Sequence, residues 1–267
     1  MVNAMPAATR AELTKLLTLP SVWIVTGVIL ALHTLVQLQS AELFADAVAN
    51  ITPDGIIEIF TGQPQPAKQE ILGLLAGASL QMGLFLPVLA AVIAGQEFRS
   101  RQLGLTVLAM PRRARMVTAK LLATALYVLV VAILIVGVST AFVYAAIRDW
   151  NAGLLLTEEA FLGYGRFIAF AVLFCLTAFA VTVVARGTLT GIVVTVALIA
   201  VTMSQVLAGA APDLDALFPL SAARNLILDP GIGDLTAGRE HGLLVLIGWA
   251  VATAVAAAIT LSRRDAR

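Results

Sequence analysis

The sequence predicts an all-α integral membrane protein. Three observations carry that prediction: six long apolar stretches, a charged fraction too small for a water-facing surface, and basic residues gathered in alternate loops. Of the 267 residues, 60% are hydrophobic and 12% charged, with a mean hydropathy of +0.96. A soluble domain carries roughly a quarter charged residues. Crossing ~30 Å of hydrocarbon as a helix takes about 20 apolar residues, because no water is there to satisfy open backbone groups. The stretches that qualify are 21–38, 72–95, 121–147, 167–185, 189–210 and 242–261.

Orientation follows from sorting the basic residues by loop. One side receives Arg10, Lys15, the six cations of the 96–120 loop (Arg99, Arg101, Arg112, Arg113, Arg115 and Lys120), Arg186, Arg263, Arg264 and Arg267. The other receives only Lys68, Arg148, Arg166, Arg224 and Arg239, and the acids divide the opposite way, with Glu12, Glu97 and Asp265 alone on the basic side. Every alternate loop agrees. Both termini are therefore expected in the cytoplasm, in a multi-pass protein of the cell membrane. The first span is expected to be retained rather than cleaved as a signal peptide: the A-x-A sequence at 45–47 lies well beyond the apolar run, and removing the span leaves an odd number with conflicting loop charges.

Ahead of Pro20, residues 7–19 place Leu13, Leu16 and Leu17 on one helical face. That pattern fits an interfacial helix in the headgroup layer, with Trp23 anchoring the next span, or else a plain extension of span one. Two outer segments are long enough for structure of their own. Residues 41–70 hold a turn at Pro53, Asp54 and Gly55 and breakers at Pro64 and Pro66. In 211–241, Pro212, Pro219 and Pro230 cut apolar residues into pieces too short to span, which fits either short helices dipping into the outer leaflet or an ordinary loop.

Several chemistries lack their residues. A phosphate-binding GxxxxGK[ST] loop is absent, since the three lysines follow Thr14, Ala67 and Ala119; the chain cannot be its own ATPase. His33 and His241 are the only histidines and stand in different segments without metal-ligand spacing. Glu158-Glu159 begins an EExxxR-like string of membrane proteases, but Gly163 stands where the Arg belongs and the pair falls in an outer loop. Cys175 is the single cysteine, so no disulfide framework exists. No Asp, Glu, Lys or Arg lies mid-span, which weakens ion-coupled transport. Neutral polar residues remain: Gln81, Ser139, Thr140, Thr177, Thr182, Thr190, Thr195, Thr202, Ser204 and Gln205. They read as hydrogen-bonding glue between helices or, for Gln81, Thr195, Thr202 and Gln205, as candidates for a pathway taking an amphipathic molecule. The pairs Gly73/Gly77 and Gly187/Gly191 allow close helix approach.

Between spans two and three, Glu97-Phe98-Arg99 closes one helix, 103–110 is mainly apolar, and Pro111-Arg112-Arg113 precedes Ala119-Lys120. Exposed leucines between two spans need a partner. At these residues the chain resembles the membrane subunit of ABC-2 type ATP-binding cassette transporters. The likeness covers most of the chain: Glu12 and Lys15 in a Glu-x-x-Lys start, six spans, a Gly-x-Glu-Phe-Arg string at 95–99, Pro-x-Arg at 111–113, Ala119-Lys120, and Arg-Arg-Asp at 263–265. It departs at Arg101-Gln102, where many such permeases have Gly-Thr.

The resemblance implies an interfacial helix over 1–20 and a six-span domain over 21–267, with a cytoplasmic coupling helix in 96–120 and re-entrant outer helices in 211–241. It implies that Leu103, Leu105, Thr106, Leu108, Met110, Pro111, Arg112 and Arg113 dock on a separate cytoplasmic ABC ATPase, and that Glu97, Arg99 and Lys120 support that loop. Two ATPases would serve two permease chains, the second a copy or a relative, with ATP and Mg on the ATPase, no cofactor in this chain, the lipid bilayer around it and no nucleic acid. Such systems mostly export. A carrier acting alone and a non-transporting anchor or sensor subunit are the alternatives.

Overall fold

The computed structural model describes residues 4–57, 64–99, 113–229 and 235–263, and these are almost wholly helical. Helix α1 (Ala4–Thr18) stops at Leu19, whose extended backbone precedes Pro20, and α2 (Pro20–Ala49) starts there with proline in its first turn. The expected turn at 53–55 is present. Gly55 takes φ 74°, its N–H donating to the Thr52 carbonyl at 2.8 Å, a left-handed conformation that glycine adopts without a Cβ clash. It leads into a short antiparallel ribbon of β1 (Ile56–Ile57) and β2 (Gln65–Pro66) that pairs Ile56 with Pro66.

Helices α3 (Ala67–Gly83) and α4 (Leu86–Arg99) follow one another with a break at 84–85. Pro87 lies in the first turn of α4, where it lacks the N–H that would continue the ladder. Next come α5 (Arg113–Asn151), a 3₁₀ turn (Ala152–Leu156) and α6 (Glu158–Ala185). Thr157 caps α6, its hydroxyl accepting from the Ala160 N–H at 3.4 Å. Arg186 closes the helix in the left-handed region at φ 55°. The chain continues as α7 (Thr188–Met203), α8 (Val206–Ala210), α9 (Pro212–Asp215), α10 (Pro219–Ile227) and α11 (Arg239–Arg263).

Among the described residues five segments are long and apolar enough to cross a membrane: Pro20–Ala49, Ala67–Gln96, Arg115–Leu156, Glu158–Ala185 and Arg239–Leu261. This differs from the six uninterrupted spans expected from the sequence. The stretch 189–210 is divided, because Gln205 turns left-handed at φ 57° and separates α7 from α8. Alone, the 16 residues of α7 reach about 24 Å at 1.5 Å per residue, short of ~30 Å of hydrocarbon. Helices α2, α5 and α6 also extend well beyond the stretches 21–38, 121–147 and 167–185, since hydropathy marks the apolar centre of a helix and says little about its polar ends.

Helix α6 is the hub, packed by α4, α5, α7 and α11. Its Phe167, Phe170, Phe174 and Cys175 are almost completely buried. Close approach there depends on small residues. A Cβ on Gly83 would strike the Phe167 and Phe170 rings at 2.9 and 2.8 Å, and one on Gly191 would come 2.9 Å from the Thr182 Cα. Of the glycine pairs noted in the sequence, Gly191 makes such a contact; nothing lies within 4 Å of a Cβ on Gly77, and Gly187 meets only its own segment. Outward faces of α2, α5 and α11 expose Ile24, Leu35, Val130, Ile133, Val251 and Val255. Contiguous apolar faces of that kind suit lipid contact rather than water.

Candidate functional site

The expected docking residues Leu103, Leu105, Thr106, Leu108, Met110, Pro111 and Arg112 lie outside the described residues, as do the side chains of Glu97, Arg99 and Arg113. The backbone of 97–99 ends α4, and that of Arg113 begins α5. What the structure does describe at this end is an anchor. Lys120, two turns into α5, donates to Glu12 Oε1 of α1 at 2.8 Å, with both side chains largely buried. Above it, Trp23 Nε1 donates to the Leu17 carbonyl at 2.8 Å, and its ring meets Tyr127 edge-on at a centroid distance of 6.3 Å. Two motif residues far apart in sequence thus meet in space and fasten α1 to the helix that follows the basic loop. Lys120 pairs with Glu12 of α1, whereas the loop that Glu97, Arg99 and Lys120 are expected to support lies outside the described residues.

A polar seam continues between α2 and α5. Thr26 and Tyr127 share a hydrogen bond of 2.9 Å. About two to three turns further, His33 Nε2 lies 3.0 Å from Ser139 Oγ and 3.2 Å from the Ile135 carbonyl, while Ser79 Oγ of α3 donates to Ser139 Oγ at 3.1 Å. Because a carbonyl only accepts, the Ile135 contact assigns the proton to Nε2 and leaves Nδ1 as an acceptor. Among the described residues His33 Nδ1 and both amide atoms of the fully buried Gln37 have no hydrogen-bond partner. Ser139 therefore ties three helices together, as polar glue does. From sequence His33 is weighed only as a metal ligand and Gln37 goes unnoted, although Val22, Thr26, Ile29, His33 and Gln37 recur at helical spacing on one face of α2.

The four pathway candidates stand in different surroundings. Thr195 and Thr202 are buried, and each donates to a carbonyl of its own helix, Gly191 at 2.8 Å and Leu198 at 3.2 Å. Gln81 is exposed on α3, and Gln205 is exposed at the α7–α8 break. None of them lines the charged cavity walled by Lys68, Arg166 and Arg239.

That cavity, about 320 Å³, opens where α3, α6 and α11 begin and α10 ends. Lys68, Arg166 and Arg239 contribute cations to its wall, Glu159 and Asp229 carboxylates, and Leu72, Gly73, Ala76 and Gly163 apolar surface. Arg239 donates to Asp229. Helix α10 forms part of the wall and is itself almost entirely buried, packed on α11, α6 and α7. A clasp holds it: the Thr236 N–H donates to Asn225 Oδ1 at 3.2 Å, and Trp249 Nε1 of α11 donates to the Leu217 carbonyl at 2.8 Å. No family model matches the chain, and no curated protein matches it. The arrangement offers binding and mechanical coupling. Among the described residues no three His, Cys, Asp or Glu side chains gather as a metal site.

Proposed function

We propose that this chain is the membrane subunit of an ABC-2 type exporter, driven by a separate cytoplasmic ATPase. The observation that carries the reading is the Glu12–Lys120 pair at 2.8 Å, because it joins α1 to α5 at the end where the arginine-flanked loop emerges. Force applied to that loop would then move α1, α4 and α5 together. In this reading both termini are cytoplasmic, α7 is a short fifth span, and the buried α10 is a re-entrant helix of the outer leaflet. Two such chains, alike or related, would enclose the pathway.

Leu105→Asp combined with Leu108→Asp should abolish co-purification with the partner ATPase while leaving membrane insertion intact. Unchanged co-purification rejects the docking role. One observation favours the other reading, a carrier acting alone: His33 is an ionisable side chain buried within a span. Uptake into nucleotide-free vesicles under a proton gradient, lost in His33→Ala, would decide for the carrier.

A further inference from the structure

The cavity at the starts of α3, α6 and α11 is amphipathic in a way neither span packing nor ATPase docking explains. Its volume of about 320 Å³ lies within the size range of small-molecule sites. Three of its wall residues are cationic and two anionic, and Asp229 is already engaged by Arg239. Among the described residues neither Lys68 nor Arg166 has an ion-pair partner. Lys68 and Arg239 also stand in the first turns of α3 and α11, at the positive ends of helix dipoles, where a cation is disfavoured and an anion is welcome. The first turns of α3, α6 and α11 already hold Glu70, Glu158, Glu159 and Glu240, and the cavity wall itself carries an excess of one cation, three against two carboxylates.

The same wall is apolar in part. A second, small cavity of about 30 Å³ has Leu72, Ala76, Glu159 and Gly163 in its wall in common with the first, together with Leu75, Val136 and Phe167. A free inorganic ion would complement the cations and leave the apolar wall of Leu72, Ala76 and Gly163 uncovered. We propose that the 320 Å³ cavity binds an anionic amphiphile, its phosphate or carboxylate headgroup between Arg166 and Lys68 and its apolar tail along Leu72, Ala76 and Gly163. The inference rests on the described cavity alone and does not depend on the ABC-2 reading. Failure of one therefore leaves the other standing.

The test uses the full chain in phosphatidylcholine nanodiscs and isothermal titration calorimetry with three probes: dihexanoyl phosphatidic acid, inorganic phosphate and dihexanoylglycerol. Saturable binding is expected of the phosphatidic acid, with at least about tenfold weaker binding of either fragment, since head and tail each contribute. Equal binding of inorganic phosphate would make the site one for a soluble anion, and equal binding of the glycerol would remove the headgroup contact; either overturns the proposal. Arg166→Gln should weaken phosphatidic acid binding about tenfold, the loss of one charge-assisted contact. Gly163→Leu should abolish it by filling the space, and nothing lies within 4 Å of a Cβ there, so the variant is expected to fold. Wild-type affinity in either variant, with native elution and far-UV circular dichroism, refutes the site.

Discussion

Lys120 and Glu12 show how a single ion pair becomes structural when water is kept away. Exposed pairs contribute little, but removing one partner of a buried pair leaves a charge without compensation. With side-chain exposures of only 6% and 11%, the pair belongs to the buried class. Lys120→Ala should therefore destabilise the detergent-solubilised chain by about 3 kcal/mol, read from denaturant titration. Exchanging the charges, Glu12→Lys with Lys120→Glu, should recover most of that loss, whereas a purely steric role for Lys120 predicts no recovery. At the same scale, Ser139 has a larger part than its size suggests, because its hydroxyl meets His33 of α2 and Ser79 of α3 at once.

Helices meet here through contacts that residue lists alone do not reveal. Helix α7 sits close to α6 because Gly191 has no side chain where the Thr182 backbone passes. The Thr182 hydroxyl meanwhile donates to its own Ala178 carbonyl at 2.7 Å and stays on its own helix. Gly191→Ala should force the pair apart and lower stability by roughly 1–3 kcal/mol, the usual range for overpacking a dense interior. Adding Thr182→Ala should return only part of this, since the Thr182 Cα itself lies 2.9 Å from the new methyl. Full recovery would place the conflict in the side chain rather than the backbone. Gly242 has the same relation to α10, a Cβ there coming 3.1 Å from the Leu226 N, so α10 and α11 pack as a unit.

Over the whole molecule, the question raised by the structure is whether α7 crosses the bilayer. Its 16 residues are too few for a full thickness of ~30 Å, yet the basic-residue pattern requires a crossing between Arg186 and the 211–241 segment. Short spans are accommodated by thinning of the bilayer or by snorkelling of their flanking residues. Cysteine labelling decides it once Cys175 is replaced by Ala. In intact cells an impermeant maleimide should label Asp149→Cys and Asp213→Cys, but Arg10→Cys and Leu189→Cys only after lysis. Labelling of Leu189→Cys and Asp213→Cys from the same side would remove α7 as a span.

Much of this architecture was legible from sequence because lipid imposes a simple rule. Every backbone group must be satisfied internally, so apolar length alone locates helices, and Pro20 and Gly55 mark real breaks for local steric reasons. The same rule is blind to interruptions inside an apolar stretch: Leu198 and Val206 are equally apolar, and only the backbone at Gln205 separates their helices. Nor does it tell which polar residues meet. His33, Ser79 and Ser139 lie up to 106 positions apart, and Lys68, Arg166 and Arg239 come from three different segments. The sequence by itself determined membrane residence, helicity and the asymmetry of charge, since these are sums over local composition. Only tertiary structure decided the polar seam, the Glu12–Lys120 anchor and the charged cavity, because each depends on which helix faces pack together.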